Sequence, residues 1–293
     1  MEGVIIRSRS GFYDVAAPEG EYRCRARGKL RLAGTAPLVG DRVHLEPTEG
    51  RSGVITALLP RKNAFVRPAV ANVDLLVMLC ANVNPVTDPF LMDQVSAIAC
   101  AADCSVAVCV NKCDLDPGDT LYATYTAAGF PTLRTSAKTG EGVEELRRLV
   151  SGRACAFTGN SGVGKSSLLN VLDVRLGIPV GEVSQKLGRG RHTTRHVEFY
   201  PLGGDTYIAD TPGFAAFDVQ QMPGLTRENL AESFPEFRPF LGACRFPDCA
   251  HVCEPDCRVL EAVAAGIIPK SRHDSYVRLK AILDEIPDWE RKK

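Results

Sequence analysis

The chain has 293 residues, 35 basic and 35 acidic side chains, and a hydrophobic fraction of 45%. Balanced charge leaves net charge silent about partners, and no run of eighteen apolar residues offers a membrane-spanning helix. Eleven cysteines would suit a secreted disulfide scaffold, but that class is short and loop-rich. Glu2, Arg7 and Arg9 occupy the first ten residues where a signal peptide would need an apolar core. The expectation is a soluble cytoplasmic protein of two or three domains, with no membrane role and acting as a monomer.

Residues 1 to about 67 alternate in short runs punctuated by glycine and proline: Gly3–Arg7, Gly11–Val15, Tyr22–Leu32, Asp41–Leu45 and Gly53–Leu58. Five short strands at this spacing predict a small OB-like barrel. From Arg23 to Arg31 every second residue is basic, so Arg23, Arg25, Arg27, Lys29 and Arg31 share one strand face. Through Arg67 there are twelve basic and seven acidic residues. A row of like charge is self-repulsive, which points to an anionic partner and favours nucleic acid held through phosphates. A solvated edge strand guarded by charge is the alternative.

From about residue 68 the pattern changes. Asp74–Cys80 and Ser105–Val110 are continuous apolar runs of buried parallel-strand type, and Leu91–Ala102 between them is helical. Asn111-Lys112-Cys113-Asp114 follows the second strand directly, an N-K-x-D arrangement. A carboxylate at Asp114 accepts two hydrogen bonds from the N1–H and exocyclic amine of guanine, which adenine cannot supply. Leaving that carboxylate unpaired is costly, so discrimination of roughly 10⁴ is within reach. Ser136-Ala137-Lys138 follows the strand Thr132–Thr135 and supports the guanine O6 edge.

After the apolar strand Ala154–Thr158 comes Gly159-Asn160-Ser161-Gly162-Val163-Gly164-Lys165-Ser166, the G-x-x-x-x-G-K-S spacing of a phosphate-binding loop, then a helix opening at Ser167. Glycines turn successive N–H groups toward a β-phosphate, and the helix dipole adds positive potential. Lys165 reaches the β/γ-phosphates and the Ser166 hydroxyl holds Mg²⁺. Gly188–Arg195 is polar and aperiodic and reads as a mobile loop carrying His192, Thr193 and Thr194. Asp210-Thr211-Pro212-Gly213 follows the strand Thr206–Ala209. In a P-loop nucleotidase this places Asp210 near Mg²⁺ and the Gly213 N–H at the γ-phosphate, with Thr193 or Thr194 completing both contacts. Phe214 stands where many such enzymes carry a water-orienting glutamine, so slow intrinsic hydrolysis is expected and His192 is the nearest replacement.

Residues from about 223 read as helical at Arg227–Ser233, Cys257–Ala265 and Ser271–Asp284, the last capped by Ser271. Cys244, Cys249, His251 and Cys257 lie within fourteen residues, a donor set suited to closed tetrahedral structural zinc, with Cys253 a fifth candidate. Arg272, His273, Arg278, Lys280, Arg291, Lys292 and Lys293 are read equally well as an RNA-facing surface or a solvated helix.

The five nucleotide motifs are those of Ras-like GTPases, but N-K-x-D and S-A-K precede the P-loop, the threonine loop and D-x-P-G. With a barrel before and a cysteine cluster after, the chain resembles the RsgA/YjeQ family of small-subunit-dependent ribosome biogenesis GTPases. The resemblance implies an OB-fold barrel (1–67), a circularly permuted α/β P-loop GTPase domain (68–222) and a helical zinc-binding domain (223–293). It implies GTP as substrate, Mg²⁺, and one structural Zn²⁺ on Cys244, Cys249, His251 and Cys257, with Cys253 a bystander. His192 is implied in catalysis, and the small ribosomal subunit with its 16S rRNA is the implied partner. The second switch, Asp210–Phe217, runs straight into the C-terminal region, so movement at Gly213 is expected to be transmitted there. A GTP-gated RNA-binding module not dedicated to ribosome assembly is the alternative.

Overall fold

The computed structural model describes residues 1–28, 36–66, 68–178, 197–210 and 224–286. Strands β1 (Glu2–Arg9), β2 (Phe12–Ala17), β3 (Gly20–Ala26), β4 (Arg42–Pro47) and β5 (Ser52–Leu58) close a barrel in the order β1-β2-β3-β5-β4. Ser10 and Gly11, both at positive φ, make the two-residue turn that pairs Arg9 with Phe12. A register shift between Ile5 and Arg7 lets the successive Ile5 and Ile6 both bury. The predicted strand Tyr22–Leu32 stops at Ala26, where Arg27 N–H donates to Ile55 O and the ladder ends. Arg23 and Arg25 are therefore the basic residues that alternate within β3, while Lys29 and Arg31 lie outside the described residues.

A hairpin of β6 (Ala64–Val66) and β7 (Ala69–Ala71) joins the barrel to the second sheet, bridging Val39 to Val70. That sheet contains β8 (Leu75–Cys80), β9 (Ser105–Asn111), β10 (Thr132–Thr135), β11 (Ala154–Gly159), β12 (Phe199–Gly203) and β13 (Thr206–Asp210). Its order is β10-β9-β8-β11-β13-β12, parallel except for β12 at the edge. All six residues of β8 are buried, as a strand covered on both faces requires. Leu76, Met78 and Cys80 face α1 (Pro89–Ala101) and α2 (Asp119–Ala127); Leu75, Val77 and Leu79 face α3 (Val143–Val150) and α4 (Lys165–Leu172). Sequential strands run outward from β8 to β10, then the chain returns to place β11 on the other side of β8. That reversal is the topological switch point, where α/β sheets bind ligands at strand carboxyl ends.

The C-terminal region carries α5 (Arg258–Ala264) and α6 (Lys270–Asp284), and α6 packs along α1. Two helix expectations are corrected here. Arg227–Ser233 forms turns, because the Thr226–Asn229 side-chain exchange starts a helical turn and Pro235 stops it within two more. The cap of α6 is Pro269, with Ser271 already inside the helix. Among the described residues no helix is long and apolar enough to cross a membrane.

Candidate nucleotide and metal sites

The nucleotide motifs collect at the carboxyl ends of β9, β10, β11 and β13, on one edge of the sheet. The P-loop leaves β11 and enters α4 through Gly164, whose φ of 94° needs no Cβ and has no room for one. A Cβ there would stand 2.5 Å from Asn111 Nδ2, and one at Gly159 would stand 2.8 Å from Leu79 O. Asn111 is buried and spans two motifs: its Nδ2 donates to Val163 O at 2.8 Å, and its Oδ1 accepts from Thr135 Oγ1 at 3.1 Å. Lys112 Nζ donates to Gly162 O at 2.8 Å and also to Asn84 O, in the segment between β8 and α1. The aliphatic stem of Lys112 thus lies across the P-loop and holds its outer turn.

Asp114 has a side chain 13% exposed. Ser136 Oγ donates to its Oδ1 at 2.7 Å, and Lys138 Nζ lies 4.0 Å from its Oδ2. The same Ser136 Oγ accepts from Lys138 and Thr139 N–H, both at 3.2 Å. One hydroxyl therefore orders the Ser136–Thr139 turn and orients the carboxylate that sequence reasoning assigned to guanine. Ala137 lies between these anchored neighbours. Asn160, Ser161, Val163, Lys165, Ser166 and Ser167 all fall in the β11–α4 crossing, with Val163 buried and Ser161 exposed. Phe157 on β11 stands in register with Asp210 at the end of β13, which brings the Asp210 backbone beside the strand that feeds the P-loop. His192, Thr193, Thr194 and Gly213 lie outside the described residues, as does Phe214.

Cys244, Cys249, His251 and Cys257 bring one ligand atom each within 4.8 Å of one another. Cys244 Sγ is 3.9 Å from Cys257 Sγ and 3.7 Å from His251 Nδ1, which is 3.4 Å from Cys257 Sγ. Zn–S bonds of about 2.3 Å and Zn–N bonds of about 2.0 Å in a tetrahedron give edges of about 3.6–3.8 Å. The donor set and its spacing fit zinc. Cys253 is exposed and outside the set, its N–H donating to Glu254, whose carboxylate also accepts from Ala250 and Val252 N–H. Helix α6 supports this loop twice: Tyr276 OH donates to Ala250 O, and His273 Nε2 lies 2.8 Å from His251 O. The remaining cysteines behave as small hydrophobes: burial pushes the Cys80 and Cys104 thiols up to about 12.

Sequence reasoning missed one cluster altogether. Arg272, read as surface, is fully buried between Asp93 of α1 and Glu236. Its guanidinium donates to Asp93 Oδ1 at 2.7 Å, Ser96 Oγ at 3.0 Å and Glu236 Oε1 at 2.6 Å, and it stacks over Phe234 at 4.6 Å. Tyr125 OH donates to the same Asp93 oxygen. His273 is buried too, so the basic helix face offers neither residue to RNA. On the barrel, Arg23 and Arg25 hold their guanidinium groups over the ring of Phe12 at 4.8 and 4.5 Å, a signal invisible to strand alternation alone.

Known proteins share this fold over nearly the whole chain. The family model described as RsgA GTPase matches residues 58–220, and the one described as RsgA N-terminal domain matches residues 2–55. A small ribosomal subunit biogenesis GTPase RsgA of Caldanaerobacter subterraneus is 42% identical, over 100% of this chain and 98% of its own. One from Moorella thermoacetica is 42% identical over 96% and 97%. Among solved structures, YjeQ from Thermotoga maritima superposes with a TM-score of 0.81 at 34% identity, covering 98% of this chain and 99% of that one. YloQ, described as a circularly permuted GTPase, gives 0.80 at 29%, covering 98% and 96%.

Proposed function

The chain belongs to the RsgA family of circularly permuted GTPases, and from that membership we propose that it hydrolyses GTP in late maturation of the small ribosomal subunit. The observation that carries the nucleotide assignment is the Ser136–Asp114 bond beside the Asn111- and Lys112-tethered P-loop. Guanine would pair with the Asp114 carboxylate, and the Gly159–Ser167 turn would receive the phosphates with Lys165 on their outer oxygens. Asn111 and Lys112 hold the Val163 and Gly162 carbonyls, which would leave the loop's N–H groups to face the phosphates.

Ser166 lies in the first turn of α4 and Asp210 closes β13, both with the hard oxygen donors that Mg²⁺ takes, and Thr193 or Thr194 would complete the set. Bound there, Mg²⁺ would neutralise charge on the β- and γ-phosphates. Gly213 would donate its N–H to the γ-phosphate, and His192 would orient the attacking water in place of the glutamine that Phe214 replaces. Cys244, Cys249, His251 and Cys257 would hold one structural zinc with no position left for water, so that ion supplies folding and no chemistry. Residues 1–67, 68–222 and 223–293 serve as RNA-binding barrel, switch domain and zinc-held docking domain. The barrel would meet 16S rRNA through Arg23, Arg25, Arg27, Lys29 and Arg31. The protein would work as a cytoplasmic monomer.

Turnover of GTP by the purified chain is expected to be slow and to rise markedly when separated small subunits are added. Equal rates with and without them would sink the ribosomal reading, and an unchanged GTP-over-ATP preference in Asp114→Ala would sink the guanine assignment.

A further inference from the structure

The C-terminal loop carries five soft donors, of which four converge and one does not. Metal chemistry alone does not make that choice. Zinc takes four thiolates as readily as three thiolates and an imidazole, and thiolate is the softer donor. Cys253 stands two residues after His251, at most about 7 Å along the chain. Yet Cys253 is exposed while His251 is buried. The backbone between them makes the distinction.

His251 has a φ of 59°, in the left-handed region that residues with a Cβ seldom adopt. With that turn its Nδ1 lies 3.7 Å from Cys244 Sγ and 3.4 Å from Cys257 Sγ. The peptide groups on both sides of it are held. Tyr276 OH donates to Ala250 O, and His273 Nε2 lies 2.8 Å from His251 O, so α6 takes the carbonyls. Glu254 takes the N–H groups: Ala250 donates to its Oε1 at 3.0 Å, and Val252 and Cys253 donate to its Oε2 at 2.9 and 3.1 Å. Hydrogen bonds to an ionised carboxylate are of the strong kind, and three of them converge here. One of the three ties the main chain of Cys253 itself.

We infer that Glu254 selects the fourth metal ligand, holding His251 in and Cys253 out. It is a positioning residue that touches no metal. The inference rests on the zinc reading of the cluster and adds the group that decides its composition. Without the carboxylate, the Ala250, Val252 and Cys253 N–H groups lose their common acceptor. The left-handed turn at His251 then relaxes toward an ordinary φ and redirects the chain that follows it. The Cys253 thiolate becomes a competitor for the position that the imidazole held.

The test measures zinc affinity of the full chain, by competition with a chromogenic chelator, together with iodoacetamide labelling of each cysteine in the zinc-loaded protein. The wild type is expected to carry about one equivalent of zinc, with Cys253 labelled and Cys244, Cys249 and Cys257 protected. His251→Asn removes the imidazole, and asparagine tolerates the left-handed turn. It should weaken zinc binding by at least about tenfold, because Glu254 still keeps Cys253 turned away. Adding Glu254→Gln to it should recover about tenfold of that affinity and slow the labelling of Cys253 by a similar factor. Adding Cys253→Ser as well should abolish the recovery. Glu254→Ala, which leaves no acceptor at all, serves as a second replacement in the same series. A carboxylate that only stiffened the loop would make both double variants bind zinc more weakly than His251→Asn alone. That result, or Cys253 labelled at the wild-type rate in both, overturns the selection. A wild type that carries no zinc sinks the metal reading beneath it, and the selection with it.

Discussion

The nucleotide domain is joined to its two neighbours by ionic contacts of opposite kind. Toward the barrel, the ionic contact is open: Arg7, Arg9 and Glu198 are 30%, 65% and 20% exposed, beside the Val39–Val70 bridge and the buried Asn63–Val73 hydrogen bonds that also cross there. Toward the C-terminal region, Arg272, Asp93 and Glu236 are 0%, 1% and 2% exposed, walled by Phe130, Phe234 and Tyr125. Exposed pairs are screened by salt and contribute about 0–1 kcal/mol, so water and phosphate compete with them on nearly equal terms. A buried arginine between two carboxylates cannot be separated without stranding charge, which holds the α1–α6 contact in one geometry. The ionic contact at the barrel is open to exchange. The C-terminal joint is built to hold the loop from Cys244 to Cys257 against α1 through α6.

Removing Cys249 from the proposed zinc site (Cys249→Ser), or treating the protein with a chelator, should have the largest effect. Structural zinc sites contribute binding free energy of about 10–16 kcal/mol to folding in small domains. Metal analysis should show about one equivalent lost, and hydrogen exchange should rise in α5 and α6 while the barrel stays protected. Protection retained throughout would mean that α6 needs no metal to hold its place.

Arg272→Ala should come next, costing about 3–5 kcal/mol in urea unfolding because Asp93 and Glu236 remain buried without a cation. A cost below about 1 kcal/mol would put this joint in the same class as the other. Tyr125→Phe removes one donor to Asp93, whose Oδ2 already lacks a hydrogen-bond partner. It should cost about 1–2 kcal/mol by the same measurement. Glu198→Gln should change unfolding least, by less than about 1 kcal/mol, and even less at high salt. A larger loss would make the barrel joint structural and remove the contrast.

What could be read from sequence follows from how far apart the partners are in the chain. The P-loop, N-K-x-D and the Cys–His cluster are local patterns, and strands or turns nearby were enough to place them. Asp114 and Ser136 were each found this way, although the bond between them was not. Arg272 had no such help: Asp93 is 179 residues away and Glu236 is 36, and no spacing rule links a helix arginine to either. On an amphipathic helix its charge argued for the surface, and the aromatic walls that make burial tolerable come from two other stretches, Tyr125–Phe130 and Phe234. Glu198 was hidden for the same reason, 191 residues from Arg7. Alternation along β3 correctly aligned Arg23 with Arg25, but the neighbours that make them a patch come from β1 and β2 through a register set at Ser10–Gly11.

The position of β11 has a mechanical consequence. It lies between β8, which the chain enters from the barrel at its amino end, and β13, which leads from its carboxyl end toward the C-terminal region. Tension that draws the two flanking regions apart pulls β8 and β13 in opposite directions, with the P-loop strand between them. Five register pairs resist on one side and four on the other, and the ladders are loaded in shear, so their bonds must yield together. A particle that tugged on both flanks would load these ladders once the α1–α6 contact had given way.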